Sequence, residues 1–325
     1  MDFVETADNP IPAGAELMPV TTGDGRVLRA VRWPAAAGAA EVKGTVLILQ
    51  GRAEFLEKYF ETVGDLLARG FAVVTFDWRG QGGSERELAN PAKGHVDDFS
   101  LYRLDLEAVL DQAVSPAWPQ PLFGLAHSMG GAVLLQALSQ GFDRFARVVT
   151  IAPMVDIALI AMPRLARALA QGLDVVGLGT AYVPGGGARS IQRKPFAGNR
   201  VSGDAVRYAR NAAAARPDIA VGDPTISWLN AAFRCMATLT EPRFGAAITT
   251  PILVIGAGED RIVSTLAVER FATRLKSGHA IVIPASLHEV LMEREPIRDA
   301  FFAAFDAFIP GSTVAPATAA AKAAG

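Results

Sequence analysis

The sequence contains little of what several kinds of functional site require. A single cysteine, Cys235, occurs among 325 residues, which excludes a disulfide within the chain and a metal site built from several thiolates. The 31 lysines and arginines are balanced by 33 aspartates and glutamates, so no basic excess indicates a nucleic-acid-binding protein. No group of histidine and acidic residues has the spacing of metal ligands. We therefore expect neither a metal nor a nucleic-acid partner.

Long uninterrupted apolar runs are also missing. The most apolar stretch, residues 157–178, contains Arg164, Arg167 and Asp174, which argues against a membrane span. The first residues are acidic where an export signal needs a basic segment followed by an apolar one. These patterns predict a cytoplasmic protein, and they leave open a peripheral contact with the inner face of the membrane. They do not specify an oligomeric state.

The apolar residues that are present form a regular pattern. Strand-like runs such as GTVLILQG, FAVVTFD and PLFGLA alternate with helix-like segments, which predicts an α/β fold with a mostly parallel central sheet and helices on both faces. The alternation stops over residues 154–246, where helical stretches and a glycine-rich loop occur without a clear strand. We therefore expect a core formed by 1–153 and 247–310, an inserted helical cap over 154–246, and a disordered tail over 311–325.

One short segment predicts a nucleophile. Residues 124–131 read GLAHSMGG, similar to the G-x-S-x-G turn that presents a reactive serine between a strand and a helix, with Ala126 replacing the first glycine. A serine reacts only when a base accepts its proton and an acid orients that base. The interpretation of Ser128 as a nucleophile therefore depends on finding both partners elsewhere in the chain.

Position along the strands distinguishes the four histidines. His288 follows the last strand at its carboxyl end, where the sites of parallel sheets lie. His279 opens that strand at the opposite edge, and His95 lies in a loop before a helix. His127 precedes the serine directly, so its side chain should point away as a packed neighbour. The pattern favours His288 as the base.

The same argument selects the acid. Asp260 and Glu259 lie in the loop that follows the strand PILVIGAG, at the sheet edge expected for Ser128. The order serine, aspartate, histidine is that of α/β-hydrolases. Asp260 is preferred to Glu259, and Asp156, one strand earlier, remains the competing acid.

An oxyanion needs hydrogen-bond donors beside the serine. The N–H of Met129 follows the nucleophile, and the loop QGRAEF after a buried strand offers the N–H of Arg52. Another loop at this edge, DWRGQGGS, lacks the spacing of a phosphate-binding motif. We expect it to be a structural turn, with Asp77 and Arg79 bonding its backbone.

Three groups of residues in the insertion bear on the substrate. The apolar segment DIALIAMPRLARALAQGLDVVGLG could line an acyl-chain tunnel, dip into a bilayer surface, or pack on the core. Trp228, Leu229, Phe233 and Met236 have roughly helical spacing and are expected inside the cap. The basic residues should form mostly a solvated face: Arg189, Arg193, Lys194, Arg200, Arg207 and Arg210.

Taken together, several segments resemble one family. QGRAEFLEKY, DWRGQGGSER, GHVDDF, AHSMGG, GAGEDRIV and LHEVLMERE are similar to the monoacylglycerol lipase and bacterial lysophospholipase branch of the α/β-hydrolases, over nearly all of residues 15–310. The resemblance implies a helical cap and hydrolysis of single-chain lipid esters without a cofactor. It places the triad on Ser128, Asp260 and His288, and the oxyanion donors on Arg52 and Met129.

The resemblance is incomplete at the loop that carries Arg52. The lipases that the chain resembles carry the motif H-G-x-x-E-H in this loop. Here Gln50 replaces its first histidine and Phe55 its last. The side chain of Arg52 could bind a phosphate of the substrate, or only its backbone N–H could contribute.

Two other functions are alternatives to lipid hydrolysis. A small-ester esterase or peptidase of the same fold is the alternative enzyme, and a hydrolase-fold binding protein is the non-enzymatic alternative. Head group and acyl-chain length are not specified.

Overall fold

A computed structural model describes residues 2–35, 42–114, 118–241 and 243–310. The predicted disordered tail, residues 311–325, lies outside these residues. Eight strands form one sheet in the order β1-β2-β4-β3-β5-β6-β7-β8. They are β1 Glu16–Thr21, β2 Val27–Trp33, β3 Thr45–Leu49, β4 Ala72–Phe76, β5 Leu122–His127, β6 Arg147–Ile151, β7 Ile252–Ala257 and β8 Gly278–Ile283.

The direction of the strands follows the sequence pattern. β1 and β2 form an antiparallel hairpin, and β2 is antiparallel to β4. Every later pairing, from β4 through β3 and β5 to β8, is parallel. The predicted mostly parallel sheet is therefore confirmed, and the carboxyl ends of β3, β5, β7 and β8 meet at one edge.

Helices cover both faces of the sheet. The α-helices are α1 Phe60–Ala68, α2 Ser100–Gln112, α3 Ser128–Ser139, α4 Pro163–Leu173, α5 Ala205–Ala214, α6 Ile226–Leu239, α7 Phe244–Ala247, α8 Thr265–Ala272 and α9 Glu295–Phe308. Alternate residues of β3 belong to two separate hydrophobic clusters. Leu47 belongs to the cluster that contains residues of α2, α3 and α8, whereas Ile48 belongs to the cluster that contains residues of α1 and α9.

The predicted cap segment lies between β6 and β7. It contains α4, α5, α6 and α7, and the described residues of 154–246 contain no strand of the sheet. α6 packs on α3, the helix that begins with Ser128, because buried side chains such as Phe233 and Leu134 share one hydrophobic cluster. The insertion is thus joined to the side of the core that carries the predicted nucleophile.

Four of the six basic residues considered in the insertion are exposed, as expected, and two are exceptions to the expectation of a mostly solvated face. Arg207 is 8% exposed and donates to Glu61 of α1 at 2.9 Å, and it also bonds Asp204 and Glu295. Arg210 bonds Glu61 as well. Charged side chains on the buried face of α5 therefore attach the insertion to the core, which a survey of charge along the sequence does not show.

The loop DWRGQGGS is a structural turn, as expected, but only one of its two predicted anchors bonds the backbone through its side chain. The carboxylate of Asp77 accepts the N–H groups of Gly83 at 2.7 Å and Leu56 at 2.9 Å. The guanidinium of Arg79 instead pairs with Asp24 and Asp105. The expectation for Arg79 was wrong because its partners lie far away in sequence.

The length and polarity of the helices bear on the question of a membrane span. No helix in the described part of the chain is both long enough and apolar enough to cross a bilayer.

Candidate active site

Ser128 lies at a sharp turn between β5 and α3. Its φ is 50°, in the left-handed region that a residue with a side chain rarely adopts. Its carbonyl oxygen accepts the N–H of Met154 at 3.0 Å, which helps to hold the turn. Such a strained turn lifts the hydroxyl above the carboxyl end of the sheet. Ala126 is fully buried in β5, so its extra methyl group is accommodated.

The three residues predicted as a triad are in contact. The hydroxyl of Ser128 lies 3.0 Å from Nε2 of His288. Nδ1 of the same ring lies 2.8 Å from a carboxylate oxygen of Asp260. A carboxylate at Nδ1 favours a proton there, which leaves Nε2 free to accept the serine proton. The geometry can therefore activate a hydroxyl nucleophile.

Asp260 is held as a carboxylate by its surroundings. Its other oxygen accepts the N–H groups of Ile262 at 2.7 Å and Val263 at 3.0 Å. Burial opposes the charge, but the hydrogen bond from His288 and these N–H groups outweigh it and lower the pKa of Asp260. The two other acids considered from the sequence, Glu259 and Asp156, are both exposed and bond no histidine.

The two predicted oxyanion donors lie in segments that are in contact, the loop after β3 and the first turn of α3. A Cβ on Gly130 would lie 2.4 Å from the carbonyl oxygen of Leu49 and 2.6 Å from that of Gln50, so only glycine allows α3 to approach the end of β3 this closely. The loop that carries Arg52 therefore starts against the first turn of α3, which contains Met129. The N–H groups of both residues donate to no acceptor in the described part of the chain.

His127 is a buried neighbour of the triad, as expected, but its side chain has a specific polar role. Its Nε2 lies 3.1 Å from the carbonyl oxygen of His288, and its Nδ1 lies 3.1 Å from the carboxylate of Glu54. Burial lowers the pKa of His127, but the charge of Glu54 outweighs burial and raises it overall. Strand geometry suggested only packing, because it does not show what the ring would meet.

A cluster of charged side chains adjoins this contact. The ammonium of Lys58 lies 2.7 Å from both Glu54 and Glu289, and the hydroxyl of Tyr59 donates to Glu54 at 2.7 Å. Burial raises the pKa of Glu54, but Lys58 and His127 lower it well below its ordinary value. Glu289 directly follows His288, so the cluster links the loop of the base to the segment after β3.

The candidate triad opens into a cavity of about 510 Å³. Ser128 and His288 line it together with the loop residues Gly51 and Arg52. Most of the remaining wall comes from apolar residues of the insertion, among them Ile157, Leu159, Ile160, Ala166, Leu169, Ala170, Leu173, Trp228 and Leu229. The apolar segment for which tunnel lining, bilayer contact and packing on the core were all considered therefore contributes to the wall of this cavity. Trp228 and Leu229 also face it, contrary to the expectation that they lie within the cap.

The chain is similar to several known proteins. A family model described as serine aminopeptidase, S33, matches residues 40–295. Lysophospholipase L2 of Escherichia coli K12 is 34% identical over 270 residues, which cover 78% of this chain and 76% of that protein. The monoglyceride lipase of Saccharomyces cerevisiae is 33% identical over 122 residues, 36% of this chain and 37% of that protein.

Solved structures show the same fold. The crystal structure of a soluble variant of the yeast monoglyceride lipase superposes with a TM-score of 0.73 and 18% identity, covering 92% of this chain and 97% of that one. The chain is an α/β-hydrolase. It belongs to the serine aminopeptidase S33 family of serine hydrolases.

Proposed function

We propose that this serine hydrolase cleaves carboxylic esters of single-chain lipids, either lysophospholipids or monoacylglycerols. The observation that carries the proposal is the contact of Ser128 with His288 at the wall of a largely apolar cavity. An acyl chain needs such a lining, because its transfer from water is driven by burial of apolar surface. The similarity to a lysophospholipase and to a monoglyceride lipase supports the same substrate class.

The proposed reaction has two acyl-transfer steps. His288 accepts the proton of Ser128 as the serine oxygen attacks the ester carbonyl, and the N–H groups of Arg52 and Met129 hold the oxyanion. The protonated His288 then gives its proton to the departing alcohol, which leaves an acyl-serine. Water, deprotonated by the same histidine, releases the fatty acid. Asp260 stabilises the imidazolium in both steps. The proposed reaction requires no cofactor.

We propose also that the outer surface of α4, together with the residues just before and after it, contacts the lipid aggregate. Met162, Leu165 and Leu169 are exposed by 64%, 50% and 53%, and Val175 and Val176 by 82% and 69%. Exposed apolar residues gathered in one segment are a feature of lipid-contact surfaces. Leu169 also lines the cavity, so this surface lies at the boundary between the substrate site and solvent.

Both proposals are tested by one substrate panel. Wild type and Ser128→Ala are assayed on lysophosphatidylcholine, monoacylglycerol, p-nitrophenyl esters of short and long chains, and an aminoacyl amide. We expect long-chain esters to be hydrolysed best, with a further rise in rate above the concentration at which the lipid aggregates. The Ser128→Ala variant should lose at least about 10³-fold in kcat.

Several results would contradict the proposal. Equal rates for wild type and Ser128→Ala would exclude Ser128 as the nucleophile. A preference for the aminoacyl amide would favour a peptidase, and a preference for the shortest ester would favour a small-ester esterase. A protein that binds lipid but hydrolyses none of the panel would favour the non-enzymatic alternative. An unchanged rate across the aggregation point would exclude the lipid contact of α4.

A further inference from the structure

The guanidinium of Arg52 lies in the cavity wall. Its side chain is partly buried, and one Nη1–H donates to the carbonyl oxygen of Gly222 at 3.0 Å. The guanidinium carbon lies 5.5 Å from the ring centroid of Trp228, which also lines the cavity. These two contacts hold the guanidinium in place. Its Nε and Nη2 groups donate to no described residue and are not enclosed by protein.

The charge of Arg52 also lacks the compensation that buried arginines have elsewhere in this protein. Arg29 pairs with Glu57 and Asp77, and Arg79 pairs with Asp24 and Asp105. Arg52 forms no ion pair with a carboxylate of the described residues. Burial accordingly lowers the pKa of Arg52, although the nearby charge of Asp223 opposes this. A partly buried charge without an ion-pair partner is costly, and a ligand that supplies a counter-charge removes that cost.

We infer that the Arg52 side chain binds the phosphate of the leaving group, so that lysophospholipids are favoured over monoacylglycerols. This inference rests on the proposed lipid esterase function. Guanidinium nitrogens suit a phosphate because two parallel N–H groups can donate to two phosphate oxygens. In a lysophospholipid the phosphate is joined to the same glyceryl group whose ester oxygen leaves. Arg52 directly follows Gly51 in the loop beside Ser128, which puts its side chain within reach of that group.

Four other charged residues line the cavity, and their pairing and exposure distinguish them from Arg52. Lys194 adds a second cation from the insertion, and its side chain is exposed. Asp223 places a carboxylate in the wall, where one oxygen accepts the N–H of Gly187 at 3.0 Å. Glu54 and Glu289 are both paired with Lys58. Arg52 is therefore the partly buried cation of this cavity whose donors remain available to a phosphate.

The test compares three lipids that carry the same acyl chain and differ only in the head group. Wild type, Arg52→Gln and Arg52→Lys are assayed on 1-lauroyl-lysophosphatidylcholine, 1-lauroyl-lysophosphatidic acid and 1-monolauroylglycerol. The readout is the ratio of kcat/KM for each phospholipid to that for monolauroylglycerol. Arg193→Gln is the matched control, because it removes an exposed cation of the insertion that does not line the cavity.

We expect Arg52→Gln to lower both ratios by about tenfold or more, which is the size of a charge-assisted hydrogen-bond pair. Arg52→Lys should recover part of the ratio because it keeps the charge without the planar donors. Arg193→Gln should keep the wild-type ratio. Ratios within twofold of wild type in Arg52→Gln would overturn the inference. A loss for lysophosphatidylcholine alone would also overturn it, because the choline would then be the recognised group.

A binding measurement separates this inference from the proposed function. Dodecylphosphocholine has no ester, so its binding below the aggregation concentration can be measured by calorimetry whether or not the protein hydrolyses lipids. We expect Arg52→Gln to weaken binding by about tenfold, with dodecanol as the phosphate-free reference. Equal binding to wild type and Arg52→Gln would contradict a phosphate site. Failure of wild type to hydrolyse any lipid, with binding still dependent on Arg52, would contradict only the proposed reaction.

Discussion

At the scale of single residues, His127 connects the candidate triad to the charged cluster of Glu54, Lys58 and Glu289. One ring nitrogen contacts the carbonyl oxygen of His288 and the other contacts Glu54. The rings of His127 and His288 are 4.8 Å apart between centroids. A backbone carbonyl fixed in this way limits how the imidazole of His288 can turn, so we regard His127 as a positioning residue.

Replacing His127 tests this role. His127→Phe keeps a ring but removes both hydrogen bonds, so His288 should spend less time aligned with Ser128. We expect kcat to fall by about 10- to 100-fold while KM changes less than threefold, because the substrate cavity keeps its shape. His127→Gln can still donate and should recover part of kcat. Steady-state kinetics on a long-chain p-nitrophenyl ester measures both constants.

A purely structural role would give a different pattern. Thermal unfolding of His127→Phe and His127→Gln shows whether either variant is folded at the assay temperature. If kcat stayed at the wild-type value in His127→Phe, or if the glutamine variant recovered none of the lost rate, positioning through His127 would be excluded.

The sequence was informative about residues whose role follows from strand position. Ser128, Asp260 and His288 each follow a parallel strand at its carboxyl end, so their neighbourhood could be predicted from chain order. The same reasoning did not find the contact from His127 to His288, because it joins positions 161 residues apart through a backbone carbonyl. No pattern of residue types encodes such a contact. The side-chain environment of Arg52 depends on Gly222 and Trp228, which are equally remote.

At the scale of elements, a cluster of ions joins α5 of the insertion to α1 of the core. Arg207 and Arg210 both bond Glu61, whose side chain is 26% exposed. Burial raises the pKa of Glu61, but the hydrogen bonds from the two arginines outweigh it and lower the value to about 2. An unpaired glutamate ionises near pH 4.3, so folding favours the charged form.

Glu61→Gln should therefore destabilise the protein in a pH-dependent way. A lowered pKa contributes stability above the unfolded value, and this contribution is lost as the pH falls towards 2. We expect the variant to lose about 1–2 kcal/mol of unfolding free energy at pH 7, an amount reduced for the partial exposure of the pair. The difference from wild type should shrink between about pH 5 and pH 2. Denaturant unfolding at several pH values measures it.

A matched surface pair provides the control. Glu107 of α2 pairs with Arg103 of the same helix at 2.8 Å, and both side chains are about one-third exposed or more. Glu107→Gln should change the unfolding free energy by only about 0.5 kcal/mol. Equal stability of Glu61→Gln and wild type at pH 7, or a difference that does not shrink at low pH, would show that the cluster does not anchor α5.

The positions of the helices and strands were easier to predict from the sequence than the side chains that each helix contacts. The strands and the helices on the sheet follow from apolar runs and their flanking turns. The charged face of α5 could not be assigned from its sequence, because an arginine facing solvent and one facing Glu61 have the same local pattern. Only tertiary packing distinguishes the two, which is why the expectation of a solvated face failed for Arg207.

At the scale of the whole molecule, the cavity depends on both the core and the insertion. The core contributes Ser128, His288 and the loop of Arg52, and the insertion contributes most of the apolar wall. The alternating strands and helices predicted the architecture, since a parallel sheet needs helices on both faces. The volume and charge of the cavity could not be predicted, because they arise from how the insertion packs on the core.

The central claim is that Ser128 is a nucleophile activated by His288 and Asp260, and covalent labelling tests it most directly. A fluorophosphonate probe is added to wild type, Ser128→Ala, His288→Ala and Ser139→Ala, and the modified residue is located by peptide mass spectrometry. Ser139 ends the same helix and serves as the control. We predict one label per chain, on Ser128, in wild type and Ser139→Ala. His288→Ala should label at least about 10²-fold more slowly. Undiminished labelling of Ser128→Ala, or no labelling of the wild type, would contradict the claim.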